Sequence, residues 1–100
     1  MLLTLLNIIS IHHRYQVPGT SEGYKLDVRD TASIVLVTEG SGKFLASSQV
    51  TKKEGLTVTE PFASDDITPG SVLFLAADKI LEIFPENCQQ MVLFQAFCQL

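Results

Sequence analysis

Both histidines of this sequence stand side by side, as His12 and His13. A metal site needs three or four His, Cys, Asp or Glu side chains that converge in space. We expect the pair to lie on a β-strand, where adjacent side chains point to opposite faces, so that the two histidines cannot easily bind one metal ion. No carboxylate lies near them in the sequence. The pattern indicates ordinary histidines at the start of a strand, and it predicts no metal ligand.

The serines are the next candidates, because a serine nucleophile needs a base within hydrogen-bond distance. Four of them fall in predicted turns or loops, where serine commonly bonds to the local backbone. These are Ser41, Ser47, Ser48 and Ser71. A Ser-His-Asp triad could take its base only from the histidine pair. The sequence therefore predicts no catalytic residue.

Two further motifs, an acidic pair and a glycine-containing turn, are candidates for ligand binding. The acidic pair Asp65-Asp66 could hold a calcium ion loosely, but adjacent acids in a loop are typical of a solvated surface. The segment Gly40-Ser41-Gly42 is too short for a phosphate-binding loop, and no strand–loop–helix pattern surrounds it. We expect no cofactor-binding and no metal-binding residue in this chain.

Length and charge restrict the class of protein. The chain has 100 residues, of which 46% are hydrophobic, which fits one globular domain. Its formal net charge of -4 argues against nucleic acid as a partner, because phosphate contacts need clustered Lys and Arg. The adjacent basic pair Lys52-Lys53 is followed at once by Glu54, which indicates a solvated loop.

The two cysteines, Cys88 and Cys98, are too few for a disulfide framework. We interpret them as reduced thiols of a cytoplasmic protein. A Cys88–Cys98 bridge remains an alternative, because both residues belong to one C-terminal hairpin region.

The N-terminal segment is unusual, because residues 1–11 are almost wholly apolar. We treat residues 1–13 as an atypical segment and residues 14–100 as the domain. The basic residues follow the apolar run instead of preceding it, which is unlike a signal peptide. The run has about half of the ~20 residues that a membrane span needs, so we expect no membrane partner. Three interpretations stay open: a buried first strand, sequence that replaced an upstream domain, and a signal or anchor.

From Tyr24 onward the pattern is that of about seven short strands separated by turns. Apolar and polar residues alternate from Tyr24 to Val28, and the apolar run Ile34 to Val37 is typical of a strand buried on both sides. Residues 39–42 predict a glycine turn, and Pro69-Gly70 fits the centre of a type II turn. The remaining predicted strands are 43–46, a short one at 56–58, 72–76, 79–84 and 91–97, with loops at 47–54 and 61–66. The fold class predicted is all-β, a single-domain antiparallel jelly roll or sandwich.

Three stretches resemble the C-terminal domain of type I mannose-6-phosphate isomerases (phosphomannose isomerases). The first, Tyr24 to Gly40, is a tyrosine-containing strand that leads to an apolar strand with a glycine turn. The second, Pro69 to Ala77, is a Val-Leu-Phe strand preceded by glycine. The third, Met91 to Leu100, is an apolar strand that ends in an Ala-x-Cys-x-Leu tail. Their order and spacing agree with the family over Tyr24 to Leu100. Residues 50–66 depart from it as an apparent insertion, and residues 1–11 do not look like family sequence.

The resemblance implies a cupin-like fold and descent from an enzyme that interconverts mannose 6-phosphate and fructose 6-phosphate for GDP-mannose supply. In that family, zinc is held by a Gln, a Glu and two His, with an assisting Arg, all in the upstream catalytic region. Metal-binding cupins carry a His-x-His and a later His on their strands, whereas residues 24–97 contain no histidine. The resemblance therefore implies a C-terminal fragment, inactive by itself, whose partner is the upstream catalytic domain.

Two other functions remain in competition. A free-standing, non-enzymatic cupin-like module would act through contacts with another protein. A secreted or membrane-tethered domain would follow if residues 1–11 serve as a leader. If the domain lacks its partner, we expect self-association through exposed apolar surface.

Overall fold

The structure, a computed structural model, describes residues 9–19 and 22–98 and the side chains of residues 13–19 and 22–97. Most of the N-terminal segment set apart above therefore lies outside the described residues. Its last five residues belong to the first strand, which begins at Ile9 and continues without a break across position 13.

The described residues form eight strands in two antiparallel four-stranded sheets. The first sheet has the order β1 (Ile9–Val17), β8 (Met91–Cys98), β3 (Ser33–Glu39), β6 (Val72–Leu75). The second has the order β2 (Tyr24–Lys25), β7 (Ile80–Pro85), β4 (Gly42–Thr51), β5 (Thr57–Ile67). The predicted all-β antiparallel sandwich is confirmed.

The core lies between the two sheets, because each strand turns alternate side chains inward. Both sheets contribute: β3 and β8 give Val35, Val37, Met91 and Leu93, while β7 gives Leu81 and Ile83. All six are at most 2% exposed. Burial of this aliphatic surface is the main source of stability for such a sandwich, at roughly 25 cal/mol per Å² removed from water.

The predicted loops at 47–54 and 61–66 are wrong except at residues 52–54, which belong to the turn between two strands. Strand β4 runs on to Thr51 and pairs with an eleven-residue β5 from Gly42↔Ile67 to Thr51↔Thr57, with one register shift between Ala46 and Ser47. Strand β5 lies at the edge of its sheet, and Ile67 is its one buried residue. An edge strand is held by its backbone ladder and can be polar on both faces, so it lacks the apolar alternation that marks a strand in a sequence. The apparent insertion at 50–66 is the tip and returning strand of this hairpin.

Two predictions about burial are also corrected. Strand β3 is buried on one face only, since Leu36 is 38% exposed between the fully buried Val35 and Val37. The strand predicted from Tyr24 to Val28 shortens to Tyr24–Lys25, and Val28 is 47% exposed. The first error arises because no second layer among the described residues covers the outer face of the first sheet.

The predicted turns are confirmed. The backbone N–H of Ser71 donates to the carbonyl oxygen of Thr68 at 2.9 Å, and Gly70 at the third position has φ of 95°. This is the geometry of a type II turn. Gly40, between β3 and β4, has φ of 79°, and a Cβ there would lie 2.4 Å from the carbonyl oxygen of Gln90. Only glycine fits that position without displacing backbone.

Candidate functional site

A polar cluster, here called the Tyr15 cluster, occupies the inner face near the start of β3 and the end of β8. It contains His13 and Tyr15 from β1, Ser33 from β3, Gln95 from β8 and Arg29 from the segment after β2. The register places His13 opposite Gln95, so alternate inward residues of adjacent strands meet here.

Hydrogen bonds in the Tyr15 cluster join three strands of the first sheet. The hydroxyl of Tyr15 donates to Oε1 of Gln95 at 3.0 Å, and Nε2 of Gln95 donates to Oγ of Ser33 at 2.9 Å. Gln95 and Ser33 are each 1% exposed. Among the described side chains, no buried nitrogen or oxygen lacks a hydrogen-bond partner. Because its buried polar atoms all have hydrogen-bond partners, the network can serve as a structural cross-link between the three strands.

The ionisation of Tyr15 follows from its position. Burial raises the pKa of the phenol above 10.0, and the negative charge of Asp27 raises it further. The positive charge of Arg29 and its hydrogen bond to the phenol oppose these effects. At neutral pH Tyr15 is therefore a neutral hydrogen-bond donor and not a base or nucleophile.

Arg29 covers the outer end of the cluster. Its guanidinium carbon lies 5.1 Å from the centroid of the Phe97 ring, a cation–π distance. One of its nitrogens lies 3.5 Å from Nε2 of His13 and 3.9 Å from Oδ2 of Asp27. His13 also stands edge-on to the ring of Phe97, with centroids 5.6 Å apart.

The described contacts of His13 do not include a serine, so the structure does not assemble a Ser-His pair there. His12 is next to it in β1, and its side chain lies outside the described residues. Within the described side chains, no group of three or more His, Cys, Asp or Glu is placed to hold a metal ion.

The serines weighed as nucleophiles are dispersed. Ser47 and Ser48 lie in β4 and not in a loop, and a bulge between Ala46 and Ser47 turns Ser47 into the interior at 4% exposure. Ser41 lies in the turn between β3 and β4. The hydroxyl of Ser71 accepts the backbone N–H of Thr68, which is the local backbone bonding expected of a turn serine.

The charged pairs are on the surface, as expected. Asp65 and Asp66 are exposed, but they belong to β5, where Asp66 lies 3.8 Å from the ammonium of Lys43. The pair Lys52-Lys53 is exposed in the turn between β4 and β5.

Of the two cysteines, Cys88 is an exposed free thiol. The side chain of Cys98 lies outside the described residues.

An apolar cleft, here called the edge cleft, opens between the two sheets where β5 and β6 each leave one edge unpaired. Its volume is about 130 Å³. Phe62 and Phe74 stand at its border with 57% and 71% of their surface exposed. The lining is entirely apolar: Phe44, Ala46, Phe62, Ala63, Leu73, Phe74, Leu75 and Leu81.

The outer face of the first sheet is a second apolar surface, here called the outer face. Two rows of paired residues run across its strands. One row is Arg14, Phe94, Leu36 and Val72; the other includes Ala96, Ile34 and Phe74. Four of these large apolar side chains are exposed by 38% to 71%. Exposed apolar residues that adjoin one another mark contact surfaces more often than singly scattered ones do.

Comparison with solved structures places this arrangement in a known fold. Hydroquinone 1,2-dioxygenase from Sphingomonas sp. TTNP3 superposes with a TM-score of 0.62 at 13% identity over 88% of this chain. A predicted oxalate decarboxylase from Thermotoga maritima superposes with a TM-score of 0.59 at 15% identity, and the match covers 100% of this chain and 75% of the decarboxylase chain. The CENP-C domain of Drosophila melanogaster superposes with a TM-score of 0.56 at 12% identity over 88% of this chain. The domain has the cupin-type jelly-roll fold that these neighbours share.

The chain spans 58% of the length of the dioxygenase and 58% of that of the CENP-C domain. Some neighbours are enzymes and the CENP-C domain is not, so the fold alone leaves the function open. No protein-family model matches the chain, and no curated protein matches it. The described residues include no helix with the length and hydropathy of a membrane span.

Sequence reasoning missed both the Tyr15 cluster and the edge cleft. Tyr15 and Gln95 are 80 positions apart, and no local pattern links them. The edge cleft had a signal: Val72 to Leu75 is apolar at every position, yet the strand has only four residues and lies at an edge. Such a strand presents apolar side chains to both faces, and the described residues form no layer that covers its outer face.

Proposed function

We propose that this chain is the non-catalytic, cupin-like C-terminal domain of a type I mannose-6-phosphate isomerase and that it acts by packing against the catalytic region of that enzyme. The catalytic region would supply zinc and interconvert mannose 6-phosphate and fructose 6-phosphate. The resemblance from Tyr24 to Leu100 supports the family, and the cupin-type fold agrees with it. Cys88, a free thiol, fits a reducing cytoplasm.

The observation that carries the proposal is the edge cleft. The aromatic rings of Phe62 and Phe74 are largely exposed to solvent at its border. The cleft is large enough for about one apolar side chain of a partner. Buried aromatic anchors of this kind supply much of the free energy of protein–protein contacts. Pro61 interrupts the hydrogen-bonding edge of β5, so the cleft favours a partner that inserts side chains over one that adds a strand.

The interior supports a structural role. The polar side chains of Tyr15, Ser33 and Gln95 bond to one another, and most of the other buried side chains between the sheets are apolar. Acid–base chemistry on a sugar phosphate needs a base with access to the substrate. Tyr15 is held neutral by its raised pKa, and the ring of His13 lies against the guanidinium of Arg29 at 3.5 Å.

The docking proposal is tested by mixing this chain with a type I isomerase catalytic region that lacks its own C-terminal domain. We expect one complex on size-exclusion chromatography. Phe62→Ser should weaken it at least tenfold, because an aromatic anchor is lost. Leu56→Ser is the matched control, since Leu56 is 62% exposed at the far end of the hairpin. Failure of the unchanged chain to bind, or equal weakening by both variants, would refute docking through the edge cleft.

The non-catalytic role is tested by an isomerase assay on the pure chain loaded with zinc. We expect no turnover of mannose 6-phosphate. Measurable turnover that follows the protein through purification would overturn this part of the proposal.

A second candidate is a free-standing interaction module without enzymatic activity. Its support is the likeness to the CENP-C domain, for which one of the similar structures shows a complex with CAL1. An immunoblot of the endogenous protein with an antibody against residues 50–66 separates the two candidates. A band several times heavier than 11.0 kDa supports the isomerase, and a band at 11.0 kDa supports the module.

A further inference from the structure

A groove, here called the charged groove, lies on the side of the second sheet that faces away from the core. Strands β4, β5 and β7 line it, and its volume is about 420 Å³. Phe44 and Ile83 pack inward, so their neighbours Lys43, Leu45 and Phe84 point outward into the groove. A volume of this size falls within the range of about 300–1,000 Å³ that small-molecule sites occupy.

Apolar and polar side chains alternate across the charged groove. Two rows of paired residues cross its three strands, and each row sets one apolar side chain among polar ones. The first row is Phe84, Lys43 and Asp66, and the second is Glu82, Leu45 and Ser64. Because Phe84 and Leu45 occupy diagonal positions, a ligand in the groove would meet apolar and hydrogen-bonding groups in turn, both along the strands and across them.

Contacts within the second sheet hold these side chains in place. Nζ of Lys43 lies 3.8 Å from Oδ1 of Asp66. An ammonium has three donors and a carboxylate has two acceptor oxygens, so this pair can still offer a donor and an acceptor to a ligand. A Cβ at Gly23 would lie 2.9 Å from Cε1 of Phe84 and closer still to Oε2 of Glu82. The ring and the carboxylate therefore rest directly against the backbone of Gly23.

The charge of the groove restricts the kind of ligand. Among the side chains that line it, Lys43 is positive and Asp65 and Asp66 are negative, a net charge of −1. An anion such as a phosphate ester would meet net repulsion there. A cation would compete for Asp66 with the ammonium of Lys43. A neutral ligand that both donates and accepts hydrogen bonds fits these charges best.

The alternation of groups narrows the class of neutral ligand further. A sugar ring carries C–H groups beside hydroxyls that donate and accept. The electron-rich face of an aromatic ring suits the C–H groups, and charged partners make the stronger hydrogen bonds to hydroxyls. The edge cleft suits a sugar less, because its lining is entirely apolar and would leave the hydroxyls without partners.

We propose that the charged groove is a binding site for a neutral sugar ring. Phe84 packs on the C–H face of the ring, and Lys43 and Asp66 bond to its hydroxyls. The inference does not rest on the proposed function, because docking to a catalytic region uses the edge cleft and the reaction there concerns phosphorylated sugars.

An NMR titration of the isotope-labelled full chain tests the proposal. The probes are the methyl pyranosides of glucose, galactose and mannose. We expect saturable shifts for at least one of them, with a Kd on the order of 1 mM. The shifts should be largest at the backbone amides of residues 43–45, 64–66 and 84. Glucose 6-phosphate should bind at least fivefold more weakly than methyl glucoside, because the groove repels the phosphate.

Variants separate the groove from other aromatic surface. Phe84→Ala should weaken binding at least tenfold. Phe62→Ala is the matched control, since Phe62 is an exposed aromatic residue of β5 at the edge cleft, and it should bind as the unchanged chain does. Asp66→Asn should weaken binding severalfold, with an unchanged melting temperature because the side chain is 74% exposed. This second variant keeps the test valid if Phe84→Ala does not fold.

Four results would overturn the proposal. They are the absence of saturable shifts with all three pyranosides, shifts centred outside the charged groove, equal weakening by Phe84→Ala and Phe62→Ala, and tighter binding of glucose 6-phosphate than of methyl glucoside. Each of these results leaves docking through the edge cleft untouched, so failure of this inference is distinguishable from failure of the proposed function.

Discussion

The two sheets of this domain present opposite surfaces to their surroundings. On the outer face of the second sheet, neighbouring strands carry opposite charges, Lys25 beside Glu82 and Lys43 beside Asp66. On the outer face of the first sheet, the corresponding positions hold aliphatic and aromatic side chains such as Leu36 and Phe94. Both sheets contribute apolar side chains to the core between them. The difference teaches that the charged pairs suit the second sheet to water, whereas the exposed apolar side chains suit the first sheet to contact with another surface.

The largest expected difference is between the buried and the exposed face of the first sheet, and two adjacent residues of β8 test it. Leu93 is fully buried, and Phe94 is 38% exposed on the opposite face. Leu93→Ala should lower the free energy of unfolding by about 3 kcal/mol, because it leaves a cavity in the core. Phe94→Ala should lower it by about 1 kcal/mol. Urea unfolding measures both, and equal losses would contradict this assignment of the two faces.

The buried polar cluster should be nearly as sensitive. Gln95→Ala removes an amide at 1% exposure and leaves the hydroxyls of Tyr15 and Ser33 without their partner. We expect a loss of about 2 kcal/mol by urea unfolding. Ser33→Ala should cost about 1 kcal/mol, and the double variant should lose less than the sum. Strict additivity would show that the network does not act as a unit.

An exposed aromatic on the first sheet should affect association more than stability. Phe74 is 71% exposed, so Phe74→Ser should change the free energy of unfolding by less than about 1 kcal/mol. The same change should lower the binding of an apolar dye, because it removes exposed aromatic surface. A large loss of stability would mean that Phe74 is buried in solution.

The raised pKa of Tyr15 predicts a weakness at high pH. The unfolded chain releases the phenol proton near pH 10, before the folded chain does, so folding stability is fully present below that pH. Stability should fall as the pH rises above 10 through the folded-state pKa. Tyr15→Phe should remove this part of the alkaline slope while lowering stability at neutral pH through loss of the bond to Gln95. An unchanged slope in the variant would assign the effect to another group.

The smallest effect belongs to the charged face. Lys43 and Asp66 lie 3.8 Å apart, with 70% and 74% of their side chains exposed. Lys43→Met should change the free energy of unfolding by less than about 0.5 kcal/mol, and added salt should hardly alter that difference. A loss above about 1 kcal/mol would show that this face depends on its ion pairs.

The success of sequence reasoning varied along the chain for physical reasons. Strands β6, β7 and β8 and the turns between them were predicted closely, because their signals are local: an apolar run and a Pro or Gly at a fixed turn position. The hairpin of β4 and β5 was mistaken for loops, because Ser47 to Thr51 and Pro61 to Asp66 lack alternation. Their strand conformation comes from pairing with each other.

The site was harder to foresee than the fold. The sequence placed the histidines in a strand and predicted that they would not form a metal site together, and the structure adds the neighbours of His13. Tyr15, Arg29, Ser33 and Gln95 gave no motif, since their contacts span up to 80 positions. Phe74 lies in a segment that was predicted only as an apolar strand, and the structure places its ring beside an open cleft.

By itself, the sequence determined the chain's all-β character, its turns and much of its core, because backbone conformation and side-chain alternation depend on near neighbours. Only the tertiary structure decided which face of each strand is covered, which polar groups meet inside, and where the two sheets leave an opening. Those features depend on the order of strands in the sheets, where β1 meets β8 and β3 meets β6 across long stretches of chain. Burial is a property of the assembled layers, and an apolar residue acquires it only where another layer lies above it.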